Sequence, residues 1–244
     1  MDWYKNWFGS PFYKILYQNR DEFEAQEFVE HLLDYLKPSP GSTMLDIACG
    51  EGRFAKQLAE HGFDVTGIDI SHQGIETAKA FETENLHFFV QDMRLPFYIN
   101  YFDYAFNFFT SFGYFEHNRD HALAARSFAA AIKENGILVI DYLNSEHVLS
   151  NFVAEETVQR GSYLFRIKRN LENNHIVKEI SFTDADKKQR HYTESVAAFT
   201  LADFIRMFKP TDMALVCTFG DYRLNPYHPI DSPRLIMVFK KKYA

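Results

Sequence analysis

Short apolar segments alternate with amphipathic helical patterns over residues 42–142, and this alternation limits the possible folds more than any other feature. Apolar runs of this length between turn residues predict buried strands, and a helix pattern between successive strands predicts crossover connections. Two more apolar runs follow a helix pattern that Thr200 and Asp203 can cap. The predicted strands span residues 44–48, 64–70, 86–90, 104–109, 137–142, 215–219 and 235–240. The sequence thus predicts an α/β fold with a doubly wound, seven-stranded, mostly parallel sheet.

A different pattern interrupts this rhythm before residue 200. Apolar and polar residues alternate one by one over residues 163–168, and again over residues 176–182. This period of two is typical of strands with one solvent-exposed face. We predict that residues 147–199 form an inserted antiparallel β ribbon or small sheet, which would act as a lid.

The remaining chain is expected to form one α/β domain from residues 1–146 and 200–244. Its first part, residues 1–37, is predicted to be an N-terminal helical cap. The first twenty residues are crowded with aromatic side chains but show no long helical period. A clear helix pattern begins at Asp21, a plausible N-cap with Glu24 three residues later.

The charge and composition of the 244 residues restrict the partners of the chain. There are 26 Lys and Arg against 33 Asp and Glu, a net charge of −7, which disfavours nucleic acid because phosphate binding needs a basic surface. No apolar run approaches the roughly 20 residues that cross a bilayer, and the first residues lack the build of a signal peptide. We therefore expect a cytoplasmic protein without a membrane partner. Cys49 and Cys217 cannot make a disulfide framework, and the ten His residues are scattered, so we expect no metal.

A predicted strand runs directly into a glycine-containing turn and a helix in the segment MLDIACGEGRF, which begins at Met44. Such a turn lets a ligand approach backbone N–H groups at the carboxyl end of the strand. Asp69 lies 17 residues after Gly52, at the end of the next predicted strand. A carboxylate at that position can accept hydrogen bonds from both hydroxyls of a ribose. These two features predict an adenosine-containing ligand.

The charges around the turn favour one class of adenosine ligand over another. The segment from Gly50 to Ala55 fits the G-x-G-x-x-A fingerprint of dinucleotide-binding proteins, so an NAD(P)-dependent oxidoreductase is an alternative. However, Asp46 and Glu51 place two carboxylates where a pyrophosphate would lie, and like charges oppose its binding. A cationic ligand head, such as the ammonium and sulfonium of S-adenosylmethionine, is favoured instead.

Taken together, the motifs resemble those of class I S-adenosylmethionine-dependent methyltransferases. The similar segments are LDIACGEGRFAKQLAEHGFDVTGIDIS, FFVQDMRLPF, YFDYAFNFFTSFGYF and ENGILVIDYLN, which cover most of the α/β pattern. The resemblance implies a Rossmann-like methyltransferase fold with S-adenosyl-L-methionine as the cofactor. The chain departs from the family pattern at Ala48, where the family often has glycine.

The resemblance also implies which residues bind the cofactor. The glycine turn would lie against its methionine end, Asp69 would bind the ribose and Asp92 would bind the adenine amino group. Ile70 and Met93 would flank the adenine, and the end of the fourth strand would lie near the sulfonium. The aromatic N-terminal segment either covers the sheet edge or folds over the cofactor, with Arg20 or a Tyr hydroxyl reaching the methionine carboxylate. The implied cofactor-binding residues are Arg20, Asp46, Ala48, Cys49, Gly50, Gly52, Asp69, Ile70, Asp92, Met93, Asn107 and Phe108.

The order of aromatic N-terminal region, α/β core, β insertion and tail is similar to that of small-molecule methyltransferases with a β lid. This similarity implies a small-molecule acceptor that is methylated on nitrogen or oxygen. Methyl transfer requires alignment of the acceptor lone pair, and a hydroxyl or ammonium acceptor also requires a base. The predicted catalytic residues near the strand ends are Tyr114, Tyr142 and His147, and His117 is a further possible base. A module that binds S-adenosylmethionine without catalysis is a third hypothesis.

Overall fold

The computed structural model describes residues 3–17 and 22–242. The described helices are α1 (Trp3–Phe8), α2 (Pro11–Leu16), α3 (Glu22–Leu36), α4 (Arg53–Glu60), α5 (His72–Ala78), α6 (Asn118–Ala131), α7 (Ser145–Ser150) and α8 (Leu201–Phe208), with a 3₁₀ turn at Lys79–Phe81. The described strands are β1 (Thr43–Ile47), β2 (Asp64–Asp69), β3 (Leu86–Val90), β4 (Phe102–Asn107), β5 (Ile132–Leu143), β6 (Glu155–Arg160), β7 (Tyr163–Glu172), β8 (His175–Thr183), β9 (Gln189–Ala197), β10 (Met213–Phe219) and β11 (Arg234–Lys241). The predicted N-cap Asp21 lies outside the described residues.

The central sheet has seven strands in the order β10-β11-β5-β4-β1-β2-β3. Strands β1 to β5 pair in parallel, and β11 pairs antiparallel with both β5 and β10. The predicted doubly wound, mostly parallel sheet is confirmed. Because β1, β2, β4 and β5 run in the same direction, their carboxyl ends lie along one edge of the sheet. Those ends are Ile47, Asp69, Asn107 and Leu143.

Capping residues fix the start of two helices of this domain. Ser71 caps α5, where its Oγ accepts a hydrogen bond from the Gly74 N–H at 3.0 Å. Thr200 and Asp203 form the predicted reciprocal capping box at the start of α8. Helices cover both faces of the sheet, so such caps fix where each crossover begins.

Two strand boundaries of the central sheet differ from the prediction. β4 ends at Asn107 instead of residue 109, because the Phe109 N–H donates to the Asp141 side-chain Oδ2 at 2.8 Å. β5 begins at Ile132 instead of residue 137. Its register with β4 then shifts, and Asn135 takes a left-handed conformation with φ of 63°. The residues before 137 therefore form a bulge inside the strand.

The predicted insertion contains a four-stranded antiparallel sheet in the order β6-β7-β8-β9. Its two middle strands match the period-two segments of the sequence. The outer strands are mostly polar, so their sequences lack this apolar alternation. For example, β6 reads EETVQR, and its residues alternate between exposed and half-buried. Helix α7, at Ser145–Ser150, connects the central sheet to this smaller one.

The first two helices pack against the four-stranded sheet. Trp7 of α1 is buried, and its indole N–H donates to Glu194 of β9 at 2.6 Å. The Tyr17 hydroxyl donates to the same carboxylate at 2.7 Å, and the Lys178 ammonium lies 2.8 Å from it. Burial alone would raise the pKa of Glu194, but Lys178 and the hydroxyl and indole donors hold it below its ordinary value. Helix α3 instead packs against α4, so the N-terminal helices contact both parts of the molecule.

Candidate functional site

The turn between β1 and α4 holds three left-handed residues, Ala48 (φ 62°), Gly50 (φ 58°) and Gly52 (φ 83°). A Cβ added to Gly52 would lie 2.6 Å from the Phe88 ring, so this position needs glycine for packing. A Cβ added to Gly50 would meet no atom within 4 Å. Gly50 thus faces open space, where a ligand can approach its backbone.

Asp69 connects the end of β2 to this turn. Its Oδ2 accepts a hydrogen bond from the Gly50 N–H at 2.9 Å, and its Oδ1 accepts one from the Ser71 N–H at 2.7 Å. Burial raises the pKa of Asp69, although these backbone donors lower it in part. Each carboxylate oxygen can accept a second hydrogen bond, so Asp69 can still bind the hydroxyls of a ribose.

Two buried hydrogen-bond acceptors lie on the neighbouring strands β1 and β4. Neither the Asp46 Oδ2 nor the Asn107 Oδ1 has a hydrogen-bond partner among the described residues. The Asn107 amide is oriented by its Nδ2, which donates to the Ile47 carbonyl at 2.9 Å. Burial, with a smaller contribution from the nearby Asp69, raises the pKa of Asp46 to about 7. Because an unpaired buried acceptor costs about 1–3 kcal/mol, the pair favours a ligand that brings N–H or O–H donors.

Asp92, the predicted contact for the adenine amino group, is paired within the chain. Its carboxylate accepts hydrogen bonds from Arg94, with Nε–Oδ1 and Nη2–Oδ2 distances of 3.0 and 2.6 Å. Arg94 also lies 3.6 Å from Asp120 of α6. Met93, which follows Asp92, and Ile70, which follows Asp69, are both half-buried. The role of Asp92 in adenine binding therefore stays a prediction.

Two other predicted cofactor contacts point into the core. The Phe108 ring is 3% exposed and stacks on Phe54 of α4, with ring centroids 4.2 Å apart. Cys49 is also buried, and burial raises the pKa of its thiol well above the ordinary value. These two side chains pack in the core beneath the turn and the strand end. A ligand at the turn could therefore contact the two residues only through their backbone atoms. Arg20 lies outside the described residues.

A family model described as a methyltransferase domain matches residues 17–217 of the chain. The chain belongs to this methyltransferase family. It is 36% identical over 92 residues to an O-methyltransferase of Pyrenophora dematioidea, which covers 35% of this chain and 34% of the relative. It is 26% identical over 191 residues to dTDP-3-amino-3,4,6-trideoxy-alpha-D-glucopyranose N,N-dimethyltransferase of Streptomyces venezuelae, covering 75% of this chain and 79% of the relative.

The matched regions cover between 34% and 62% of the first three curated relatives. Among solved structures, the chain is similar to an S-adenosylmethionine-dependent methyltransferase from Clostridium acetobutylicum, with a TM-score of 0.79. That similarity covers 94% of this chain and 96% of the other, at 18% sequence identity. At this identity the comparison supports the methyltransferase fold.

The structure places the three predicted catalytic side chains in different surroundings. Tyr142 is fully buried, its hydroxyl donates to the Ala197 carbonyl at 2.5 Å, and burial raises its pKa well above the ordinary value. These properties oppose a role for Tyr142 in taking up a proton. His147 lies on α7 with its Nδ1 2.7 Å from the Ile230 carbonyl oxygen. Tyr114 is half-buried in the loop after β4, and its ring contacts Phe8 of α1.

Sequence reasoning missed a polar cluster at the carboxyl ends of β4 and β5. Asp141 is fully buried, and the Arg234 guanidinium lies 2.7 Å from its Oδ1. The Tyr222 hydroxyl donates to the Asp141 Oδ2 at 3.1 Å. A sequence signal does exist, because Asp141 is the one charged residue in the apolar segment ILVIDYL.

Other surfaces contribute less to the site. A cleft of about 360 Å³ borders the glycine turn at Glu51 and extends over the outer side of α4 to His61. The unpaired acceptors of Asp46 and Asn107 lie away from this cleft, on β1 and β4. Among the described residues, no group of three or more His, Cys, Asp or Glu side chains could hold a metal ion. None of the described helices is long and apolar enough to cross a membrane.

Proposed function

We propose that the protein is an S-adenosylmethionine-dependent methyltransferase that methylates nitrogen or oxygen of a small molecule. The observation that carries the proposal is the pair of unpaired buried acceptors, Asp46 Oδ2 and Asn107 Oδ1, beside the open face of Gly50. A dinucleotide would bring negative phosphates to these acceptors, whereas the ammonium of S-adenosylmethionine brings N–H donors. Membership of the methyltransferase family supports the same assignment.

The residues present fit this cofactor. Asp69 would hold the ribose, and Asp46 with Asn107 would face the methionine end, beside the turn that contains Gly50. Arg20 is proposed to bind the methionine carboxylate and Asp92 to bind the adenine. When bound, S-adenosylmethionine supplies a methyl group on a sulfonium, from which a neutral thioether departs.

The chain's own task is to orient the acceptor and exclude water. We propose Tyr114 as the residue that orients the acceptor and, after releasing its own phenolic proton to solvent, takes the acceptor's proton, because it lies half-buried in the loop after β4. If the acceptor binds near α7, His147 would take its proton instead. Tyr142 is assigned a packing role. The four-stranded sheet, with α1 and α2 docked on it, is proposed to close the acceptor side of the site.

Calorimetry with S-adenosylmethionine, S-adenosylhomocysteine and NADH tests the proposal. We expect the first two to bind and NADH not to bind. Asp69→Asn should weaken S-adenosylmethionine binding by about 10–100-fold, because a hydrogen bond to a charged group contributes roughly 1.5–3 kcal/mol. Asp64→Asn, at the opposite end of β2, is the matched control and should leave binding unchanged.

Each alternative predicts a distinct result in the same experiments. Binding of NADH or NADPH in place of the sulfonium ligand would indicate an oxidoreductase. Binding of S-adenosylmethionine without turnover of any acceptor would indicate a non-catalytic module.

The acceptor screen would begin with amino sugars, because one relative is named as an amino-sugar N,N-dimethyltransferase, and would then include small amines and hydroxyl compounds. A cytoplasmic location is also part of the proposal. The two free cysteines, Cys49 and Cys217, support it.

A further inference from the structure

The loop over residues 108–114 leaves the central sheet in a strained conformation. Phe109 and Thr110 are both left-handed, with φ values of 59° and 60°. A β-branched residue such as Thr rarely adopts this conformation, because its side chain crowds the backbone there. The strain persists only if the surroundings hold the loop in place.

Asp141 of β5 provides much of that restraint. Its Oδ2 accepts a hydrogen bond from the Phe109 N–H at 2.8 Å, and its backbone carbonyl accepts one from the Thr110 N–H at 2.9 Å. Both strained residues are therefore bonded to one fully buried residue.

Arg234 of β11 links the same carboxylate to the loop. Its Nε donates to the Asp141 Oδ1 at 2.8 Å, and its Nη2 donates to the Thr110 Oγ1 at 3.0 Å. The planar, forked guanidinium makes both bonds at once in a fixed geometry. Asp141 and Arg234 together thus fix both the backbone and the side chain of Thr110.

The other end of the loop is fixed to the four-stranded sheet. The Gly113 carbonyl accepts a hydrogen bond from the Ala197 N–H at 2.9 Å. A Cβ added to Gly113 would lie 2.3 Å from the Tyr142 hydroxyl oxygen, which itself bonds to Ala197. Tyr114 follows directly, so its position depends on both attachments.

We propose that Asp141 is a positioning residue for methyl transfer, which together with Arg234 holds loop 108–114 so that Tyr114 meets the acceptor. This inference rests on the proposed function. Asp141 acts through the loop, so its loss should misplace the acceptor without removing the groups assigned to the cofactor. A misplacement of about 1 Å can reduce a rate by about 100-fold.

The test compares Asp141→Asn with a matched control, Asp103→Asn. Asp103 lies at the amino end of β4, where its Oδ2 accepts from the Thr43 N–H at 2.9 Å and its Oδ1 lies 2.9 Å from the Lys133 ammonium. It therefore resembles Asp141 in its bonds but lies at the opposite edge of the sheet. For each variant we would measure Tm, the S-adenosylmethionine Kd and the rate of S-adenosylhomocysteine formation with a fixed mixture of amino sugars, small amines and phenols.

We expect Asp141→Asn to lower the rate at least 30-fold at a temperature where the variant is folded, with Kd changed less than threefold. Asp103→Asn should lower Tm while keeping the rate within threefold. If Asp141→Asn does not fold, the same measurements on Arg234→Lys test the inference. We expect that variant to lose at least tenfold in rate. A rate within threefold of wild type in the folded variant, or an equal loss in the control, would overturn the inference. Absence of turnover by the wild-type protein would instead count against the proposed function.

Discussion

Replacing Asp46 by Asn should stabilise the ligand-free protein at pH 8, because the wild-type carboxylate is buried without full compensation. Asp46 is 1% exposed, and its Oδ2 has no partner among the described residues. Burial, with a smaller contribution from Asp69, raises its pKa from 3.8 to about 7. Between these two values the folded state binds a proton that the unfolded state has released. The free energy of unfolding therefore falls as pH rises from about 4 to 7, and stays low above that range.

The size of the effect follows from the pKa difference. Raising the pKa of Asp46 by about 3 destabilises the folded protein by roughly 4 kcal/mol at pH 8, since a pKa change of one corresponds to about 1.4 kcal/mol. At pH 5 the destabilisation of the folded protein is only about 2 kcal/mol, because the Asp46 carboxyl is still protonated in the folded state at that pH. An Asn side chain carries no titratable group. The stability advantage of Asp46→Asn should thus grow by about 2–3 kcal/mol between pH 5 and pH 8.

Urea denaturation of wild type and Asp46→Asn at both pH values measures this difference. Comparing the two proteins at each pH cancels the titration of all other groups that the substitution leaves alone. The variant should also bind S-adenosylmethionine more weakly, since its amide would replace the carboxylate that faces the ligand. An advantage that is constant with pH, or that shrinks as pH rises, would refute the burial argument for Asp46.

Two further predictions concern the turn and the two tyrosines. Gly52→Ala should lower the free energy of unfolding by about 2–4 kcal/mol, because its Cβ would meet the Phe88 ring in a left-handed conformation. Gly50→Ala should destabilise less in urea unfolding and instead weaken S-adenosylmethionine binding; the reverse order would contradict the assigned geometry. Tyr142→Phe should lower stability by about 1–3 kcal/mol by leaving a buried carbonyl unpaired, with little change in the rate. Tyr114→Phe should lower kcat at least tenfold with little change in Tm, and equal kcat values for the two tyrosine variants would argue against Tyr114 as the base.

The parts of the fold that could be predicted from sequence depend on local signals. The turn from β1 into α4, the Ser71 cap and the Thr200 capping box are each specified by residues a few positions apart. Asp69 lies at the end of a predicted strand, and its carboxylate accepts a hydrogen bond from the Gly50 N–H of the turn; its role in binding ribose stays a prediction. In these cases a short stretch of chain determines its own geometry.

The parts that could not be predicted depend on residues far apart in the chain. The end of β4 is set by Asp141, which lies 32 residues from Phe109. The N-terminal aromatic segment finds its place through Glu194, which lies 187 residues from Trp7. The spacing of apolar residues along the chain carries no information about such distant contacts. The sequence therefore shows that the N-terminal segment is rich in aromatic residues, but not which surface they pack against.

Transfer of an isotopically labelled methyl group tests the central claim most directly. The protein would be incubated with S-adenosylmethionine that carries a ¹³C methyl group and with the mixture of amino sugars, small amines and phenols, and the products would be examined by mass spectrometry. The account predicts S-adenosylhomocysteine together with one acceptor that has gained a labelled methyl group on nitrogen or oxygen. Bound S-adenosylmethionine with no labelled product, or failure to bind it at all, would contradict the account.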